Sequence, residues 1–252
     1  MVSQHDTAPA EIPPPALQRS HALFLDFDGT LVEIAARPGL VRVSPELRRL
    51  LGQVASLLDG AAAIVSGRPV DELSRLLARF PGVLVGQHGL ERRRTDGRVV
   101  RWSAEPALKP IRAVLAKFAQ THKGVELEDK GVTLALHFRL APRFAAECIE
   151  LVRRLADASG GALEAIDGKM VVELVPEGSG KGGAIAALLA EPPFIGRVPI
   201  FIGDDSADEE GFVVIDRLGG TSVHVGDGVS SARHRLGSVA QVRAWLAQSL
   251  AR

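Results

Sequence analysis

The chain has a single cysteine, Cys148, which excludes an internal disulfide and any cysteine-based metal site. On a helical pattern, that residue reads as a small buried hydrophobe. No apolar run approaches the length of about 18 residues that a membrane span needs. Neither sign of charge dominates: 30 basic and 30 acidic residues give a formal net charge of zero. That balance argues against nucleic acid or an anionic membrane as a partner. Lysine is scarce, with six among the 30 basic residues: Lys109, Lys117, Lys123, Lys130, Lys169 and Lys181. Where lysine persists among so many arginines, its compact ammonium is a signal worth following. Residues 1–20, rich in Pro and Ala, lack the apolar core of a signal peptide. They read as a disordered leader, and the cytoplasm is the expected location.

What is present is an ordinary globular composition, 46% hydrophobic and 24% charged, in a chain long enough to bury a sizeable core. Residues 21–103 alternate strand and helix. "ALFLDF" is an apolar strand, and "SPELRRLLGQVASLLDG" is a helix with Ser44 as cap and Pro45 in its first turn. "AAAIVSG" and "GVLVGQHG" are further strands, separated by the helix "PVDELSRLLARF". This alternation predicts a parallel sheet covered on both faces. Residues 104–176 read differently, as α-β-β-α-β-β with a turn at Asp167-Gly168, which predicts an inserted antiparallel domain. The parallel pattern resumes over 177–252. The expected fold is therefore α/β: a Rossmann-like parallel-sheet core with an inserted α+β domain.

"HALFLDFDGTLVE" ends its buried strand with Asp26 and Asp28, and "VPIFIGDDSADEE" ends another with Asp204 and Asp205. Residues just past the carboxyl ends of parallel strands converge on one crevice. Like charges there repel, and desolvation makes each costlier, so the site needs a cation. Oxygen-only ligands suit a hard divalent ion, Mg²⁺ above all, held by Asp26, Asp28, Asp204 and Asp205. Either cluster alone has a bland alternative, a solvated turn or helix cap. Ser66 and Gly67 stand at a third strand end, where a hydroxyl and free N–H groups suit phosphate oxygens. Lys181 opens a helix and is the one lysine outside the insert.

These residues support phosphoryl transfer. Asp26 is the expected nucleophile, forming an aspartyl-phosphate. Asp28 is the expected acid and base. Lys181 and the metal offset the charge of carboxylate meeting phosphate, with Asp208 orienting Lys181. Phe27 points into the core so that both flanking aspartates reach the crevice.

"DFDGT", "SGR", "GKGGA" and "GDDSADE" together resemble, in order, the four motifs of the haloacid dehalogenase superfamily. "VSGRP", "GQHGLE", "LEDKGVTLALHFR" and "DGKMVVELVP" narrow the resemblance to the trehalose-6-phosphate phosphatases, from about residue 21 to the last helix. The resemblance implies a haloacid dehalogenase-type core with a cap domain that closes over it, Mg²⁺ as cofactor, and hydrolysis of trehalose 6-phosphate to trehalose and phosphate. It implies substrate contacts from Gly67, Arg68, His88 and Glu91 in the core, and from Glu128, Lys130, Arg139, Lys169 and Glu173 in the cap. It also raises functional coupling to a trehalose-phosphate synthase. Lys130 and Lys169 each adjoin a turn glycine beside carboxylates, a pattern that suits a polyol and equally suits salt bridges at hairpin tips. His137 stands between a packed core residue and a cap contact. The chain departs from the family pattern at Ala207, which removes a hydroxyl near the metal, and at Leu90.

Two other readings remain at the level of sequence. One is a related sugar phosphatase acting on sucrose phosphate, a hexose phosphate or a glycoside phosphate. The other is a phosphoryl-accepting signalling or binding module, which also uses clustered aspartates, a lysine and Mg²⁺.

Overall fold

The computed structural model describes residues 12–35, 38–101, 105–168, 170–177 and 179–251. The chain forms two compact units, one holding the chain up to Val100 and again from Gly180, the other Arg101–Ser179. The first unit begins with β1 (His21–Leu25), α1 (Pro45–Leu57), β2 (Ala62–Val65), α2 (Val70–Leu76), β3 (Val83–Gly86), β4 (Glu91–Arg93) and β5 (Val99–Arg101). The second holds α3 (Glu105–Thr121), β6 (Glu126–Asp129), β7 (Leu134–His137), α4 (Ala145–Asp157), β8 (Leu163–Gly168) and β9 (Val171–Pro176). The first then resumes with α5 (Lys181–Leu189), β10 (Val198–Gly203), α6 (Glu209–Arg217), β11 (Thr221–Val225), β12 (His234–Leu236) and α7 (Val239–Leu250).

Eight strands make one sheet in the order β12-β11-β10-β1-β2-β3-β4-β5. From β12 to β3 every pairing is parallel, and β4 runs antiparallel to β3. The central strands are buried along their whole length, as two covered faces require. Helix α1 starts where its cap predicts: Ser44 Oγ accepts from Leu47 N–H at 3.2 Å, and Pro45 occupies the first turn.

In the second unit, four antiparallel strands lie in the order β6-β7-β9-β8. Register sets the faces. Leu127, Leu136 and Val172 align across one face and join Leu108, Leu115, Cys148 and Val152 of the two helices in a core. Glu128, Ala135 and Glu173 align across the opposite face. Cys148 is buried and free.

The structure corrects several expectations. The turn placed at Asp167-Gly168 lies further on: both residues belong to β8, and the chain reverses before Val171 with Met170 at φ +66°. The third strand ends at Gly86 rather than Gly89, because Gln87 and His88 take left-handed conformations (φ +47° and +56°). Strands β4, β5 and β12 were not legible; each is three residues long and carries arginine rather than an apolar alternation.

Residues 1–11 of the expected leader lie outside the described residues, but 12–20 are held in place. Leu17 is buried and its N–H donates to Ser249 Oγ at 3.2 Å. Trp245 Nε1 donates to the Pro15 carbonyl at 3.2 Å, and Arg235 N–H to the Ile12 carbonyl at 3.0 Å. Prolines lack a donor but keep a carbonyl, so a Pro-rich strap can dock without any periodicity to announce it.

Among the described residues, no helix is long and apolar enough to cross a membrane. The strap yields a direct test. Leu17→Ala is expected to cost about 2–4 kcal/mol in urea unfolding, whereas a disordered leader would make the substitution silent.

Candidate active site

The strand register builds the site. Leu25 pairs with Ile202 on one side and Ile64 on the other, so Asp26, Gly203-Asp204 and Ser66 all emerge just past the same sheet edge. Asp26 N–H still donates to the Ile202 carbonyl at 2.9 Å, and Ser66 N–H to the Val85 carbonyl at 3.0 Å. The two ends approach so closely that only glycine fits between them. Gly29 sits at φ +86°, and a Cβ there would lie 2.0 Å from Asp204 Oδ2.

Lys181, at the start of α5, is buried and reaches two carboxylates. Its Nζ donates to Asp26 Oδ1 at 2.7 Å and to Asp208 Oδ1 at 2.6 Å. Asp208 is fully buried, and its Oδ2 accepts the N–H groups of Asp204 at 3.0 Å and Asp205 at 3.1 Å. Thr30, also fully buried, donates to Asp204 Oδ1 at 3.0 Å. The result is a chain of charge-assisted bonds running from β1 to the α5 terminus and the turn after β10.

The electrostatics follow from burial. Desolvation, reinforced by the charges of Asp204 and Asp205, pushes Asp26 up to about 7 against the opposing pull of Lys181. Asp208 rises to about 7, chiefly through its own burial, and Asp204 to about 6 for the same reason. Burial alone would lower the Lys181 ammonium, but the charges of Asp208, Asp26 and Asp205 outweigh it and hold its pKa above the usual range. Asp26, Asp204 and Asp208 each offer an oxygen, and these oxygens lie within 4.8 Å of one another. Hard oxygen donors carrying more negative charge than Lys181 neutralises fit a divalent cation.

This grouping differs from the ligand set expected from sequence. Asp28 is half-buried, and both its oxygens accept from Arg68 rather than joining Asp26. Asp205 is exposed, with Oδ1 accepting Ala207 N–H at 2.8 Å in a capping arrangement. Asp208, expected only to orient Lys181, joins the acidic cluster itself.

The remaining expected residues are distributed as follows. Ser66 is buried and its Oγ accepts Arg68 N–H at 3.2 Å, which leaves the hydroxyl proton for another acceptor. His88 lies over Gly67, where a Cβ would come 2.8 Å from Nε2. Glu91 is buried and its Oε2 accepts Val70 N–H at 2.8 Å, so it holds the start of α2.

In the second unit, Lys130 Nζ donates to Glu173 Oε1 at 3.0 Å, and so does Thr133 Oγ1 at 2.7 Å. His137 Nε2 meets Glu128 Oε2 at 2.8 Å on the face away from the helices. That contact pulls the Glu128 carboxyl below its usual range. Arg139 is exposed, and Lys169 lies outside the described residues. Sequence reasoning missed Thr30, Glu72 and Thr133. The signal for Thr30 was the threonine of "DFDGT", and for Glu72 its place four residues after Arg68. Thr133 had none.

The raised carboxyl groups bear on stability. Each binds its proton more tightly folded than unfolded, so that contribution is present near pH 4 and lost as pH rises to about 7. A bound cation must displace these protons. The rise in melting temperature on adding Mg²⁺ is therefore expected to grow between pH 5.5 and about 8, with proton release visible as a buffer-dependent binding enthalpy. A pH-independent increment would contradict the cluster's role.

Comparison with known proteins identifies the family. The profile of the trehalose-phosphatase family matches residues 24–240. Trehalose-6-phosphate phosphatase of Escherichia coli K12 is 41% identical over 234 residues, covering 92% of this chain and 87% of that one. The bifunctional trehalose-6-phosphate synthase/phosphatase of Thermoproteus tenax is 34% identical over 243 residues, 92% of this chain and 32% of that one. The solved C-terminal domain of Candida albicans trehalose-6-phosphate phosphatase superposes with a TM-score of 0.79 at 22% identity, covering 94% of this chain and 98% of that one. The fold is of the haloacid dehalogenase type. From the acidic strand ends through the buried lysine to the match across most of its length, the chain belongs to the trehalose-phosphatase family.

Proposed function

We propose that the chain hydrolyses trehalose 6-phosphate to trehalose and phosphate in trehalose biosynthesis, through an aspartyl-phosphate and with Mg²⁺. The observation that carries the reading is the buried Lys181 ammonium held between Asp26 and Asp208 at the ends of parallel strands. An ammonium there offsets charge on both the nucleophile and the incoming phosphate.

In the first half-reaction a carboxylate oxygen of Asp26 attacks phosphorus, the bond from phosphorus to the sugar oxygen breaks, and Asp28 passes a proton to the departing oxygen. In the second, Asp28 takes a proton from water, the water oxygen attacks phosphorus, and the bond to Asp26 breaks to release phosphate. Ser66 Oγ, its lone pair engaged by Arg68 N–H, has its proton free for a phosphate oxygen, and Gly67 N–H is a second donor. Asp26 and Asp204 would hold the metal, with Asp28 and Asp205 beside them as expected from the sequence, while Asp208 holds Lys181 and the turn in place. When bound, Mg²⁺ supplies positive charge that lowers the repulsion between nucleophile and phosphate.

The sugar is assigned to polar groups whose alternating charges suit hydroxyls: His88 in the first unit, and Glu128, Lys130, Arg139, Lys169 and Glu173 in the second. Support for the second set is that Glu128 and Glu173 share a sheet face, each held by a neighbour. Functional coupling to a trehalose-phosphate synthase is part of the proposal, since the Thermoproteus tenax relative carries both names on one chain. The cytoplasm is the compartment assigned.

Phosphate release from trehalose 6-phosphate, sucrose 6-phosphate and glucose 6-phosphate, each with Mg²⁺ and with chelator, tests the reading. Mg²⁺-dependent release from the trehalose ester alone is expected, and Asp26→Asn should lower it by about 10³-fold or more. Release from another ester would keep the chemistry and change the substrate. No release from any would return the signalling or binding reading.

A further inference from the structure

Arg68 follows Ser66-Gly67 past β2 and is buried, with its side chain enclosed by acidic and aromatic groups. Nε and Nη2 fork onto the two oxygens of Asp28, the Nη2–Oδ1 distance being 2.7 Å. Nη1 donates to Glu72, on the first turn of α2. The guanidinium carbon lies 5.6 Å from the centre of the Phe27 ring. Its own backbone is tied on both sides, with N–H to Ser66 Oγ at 3.2 Å and the carbonyl accepting Gln87 N–H at 3.1 Å. Family resemblance implies that Arg68 contacts substrate. The donors point elsewhere: Nε and Nη2 face Asp28, and Nη1 faces Glu72. The cation aimed at Asp26 is Lys181.

We propose that Arg68 is a positioning residue for Asp28, anchored in turn by Glu72, and that its contribution to turnover passes through Asp28 rather than through a contact with substrate. This rests on the reading of Asp28 as acid and base. A half-exposed aspartate at a strand end has free side-chain torsions. A two-toothed fork fixes both of its oxygens at once, which a lysine cannot do. Each carboxylate oxygen keeps a second lone pair while it accepts from the fork. Asp28 can therefore take the proton of the hydrolytic water without leaving Arg68. Glu72 accepts from Nη1 and keeps the guanidinium from turning away, while the Phe27 ring lies against its side.

A double-mutant cycle on trehalose 6-phosphate hydrolysis tests this, combining Arg68→Lys and Glu72→Gln each with Asp28→Asn. Folding of every variant is checked by circular dichroism and thermal unfolding. Arg68→Lys keeps the charge and loses the fork; it is expected to lower kcat about 10- to 100-fold while KM moves less than about threefold. Glu72→Gln should lower kcat severalfold. In the Asp28→Asn background neither change should cost anything further, since groups acting through one another are not additive. A tenfold rise in KM with kcat kept, or equal losses in both backgrounds, would overturn the proposal and make Arg68 a substrate contact or a purely structural residue. If Arg68→Lys does not fold, the Glu72→Gln arm decides on the same criteria. A wild-type protein inactive on every sugar phosphate would overturn the phosphatase reading itself, an outcome separate from any result within the cycle.

Discussion

A buried ammonium between two buried carboxylates is the constraint around which the first unit is arranged. Lys181, Asp26 and Asp208 come from residues far apart in the chain, and none is stable in the interior without the others. Breaking one bond of the set would leave a charge without its partner, at a cost of about 3–5 kcal/mol. The interaction is satisfied only if β1, β10 and the start of α5 meet at one end of the sheet. The residues proposed for catalysis are therefore also ones whose burial depends on the fold bringing them together. At this edge the three carboxylates outnumber the one ammonium.

That convergence depends on close backbone approach as much as on charge. The parallel register carries Asp26 past Leu25 and Asp204 past Gly203 to neighbouring positions. The turn after β1 brings Gly29 almost onto the Asp204 carboxylate, a distance no side chain tolerates. Asp208 then closes the turn after β10 by accepting two backbone N–H groups with one oxygen and Lys181 with the other. One carboxylate thus serves a capping role and an electrostatic one. The turn is thereby tied both to its own backbone and to Lys181.

The two cations nearest the strand ends have different tasks. Lys181, a compact charge, sits between the buried carboxylates of Asp26 and Asp208. Arg68, a planar fork, donates to Asp28 and Glu72. The arginine-rich composition hid this difference, because one more arginine in such a chain carries little information, whereas a lone lysine carries much. The second unit repeats the logic at lower charge. Its polar sheet face holds Glu173 with Lys130 and Thr133, and Glu128 with His137. His137, which the pattern left between core and surface, lies on that polar face with Glu128.

The parallel core, the α-β-β-α-β-β insert and the clustering of aspartates were determined by the sequence alone. Period-two and helical patterns, together with residues at strand ends, express local preference and sheet geometry directly. Tertiary structure alone decided which carboxylates would group. Asp26, Asp204 and Asp208 come together, while Asp28 goes to Arg68 and Asp205 to a cap, because side-chain direction at a strand end depends on which partner is within reach. It also decided that residues 12–20 dock along α7 and β12, and that short arginine-bearing segments extend the sheet. Those elements have no periodicity of their own; their hydrogen bonds exist only once the partner surface has formed.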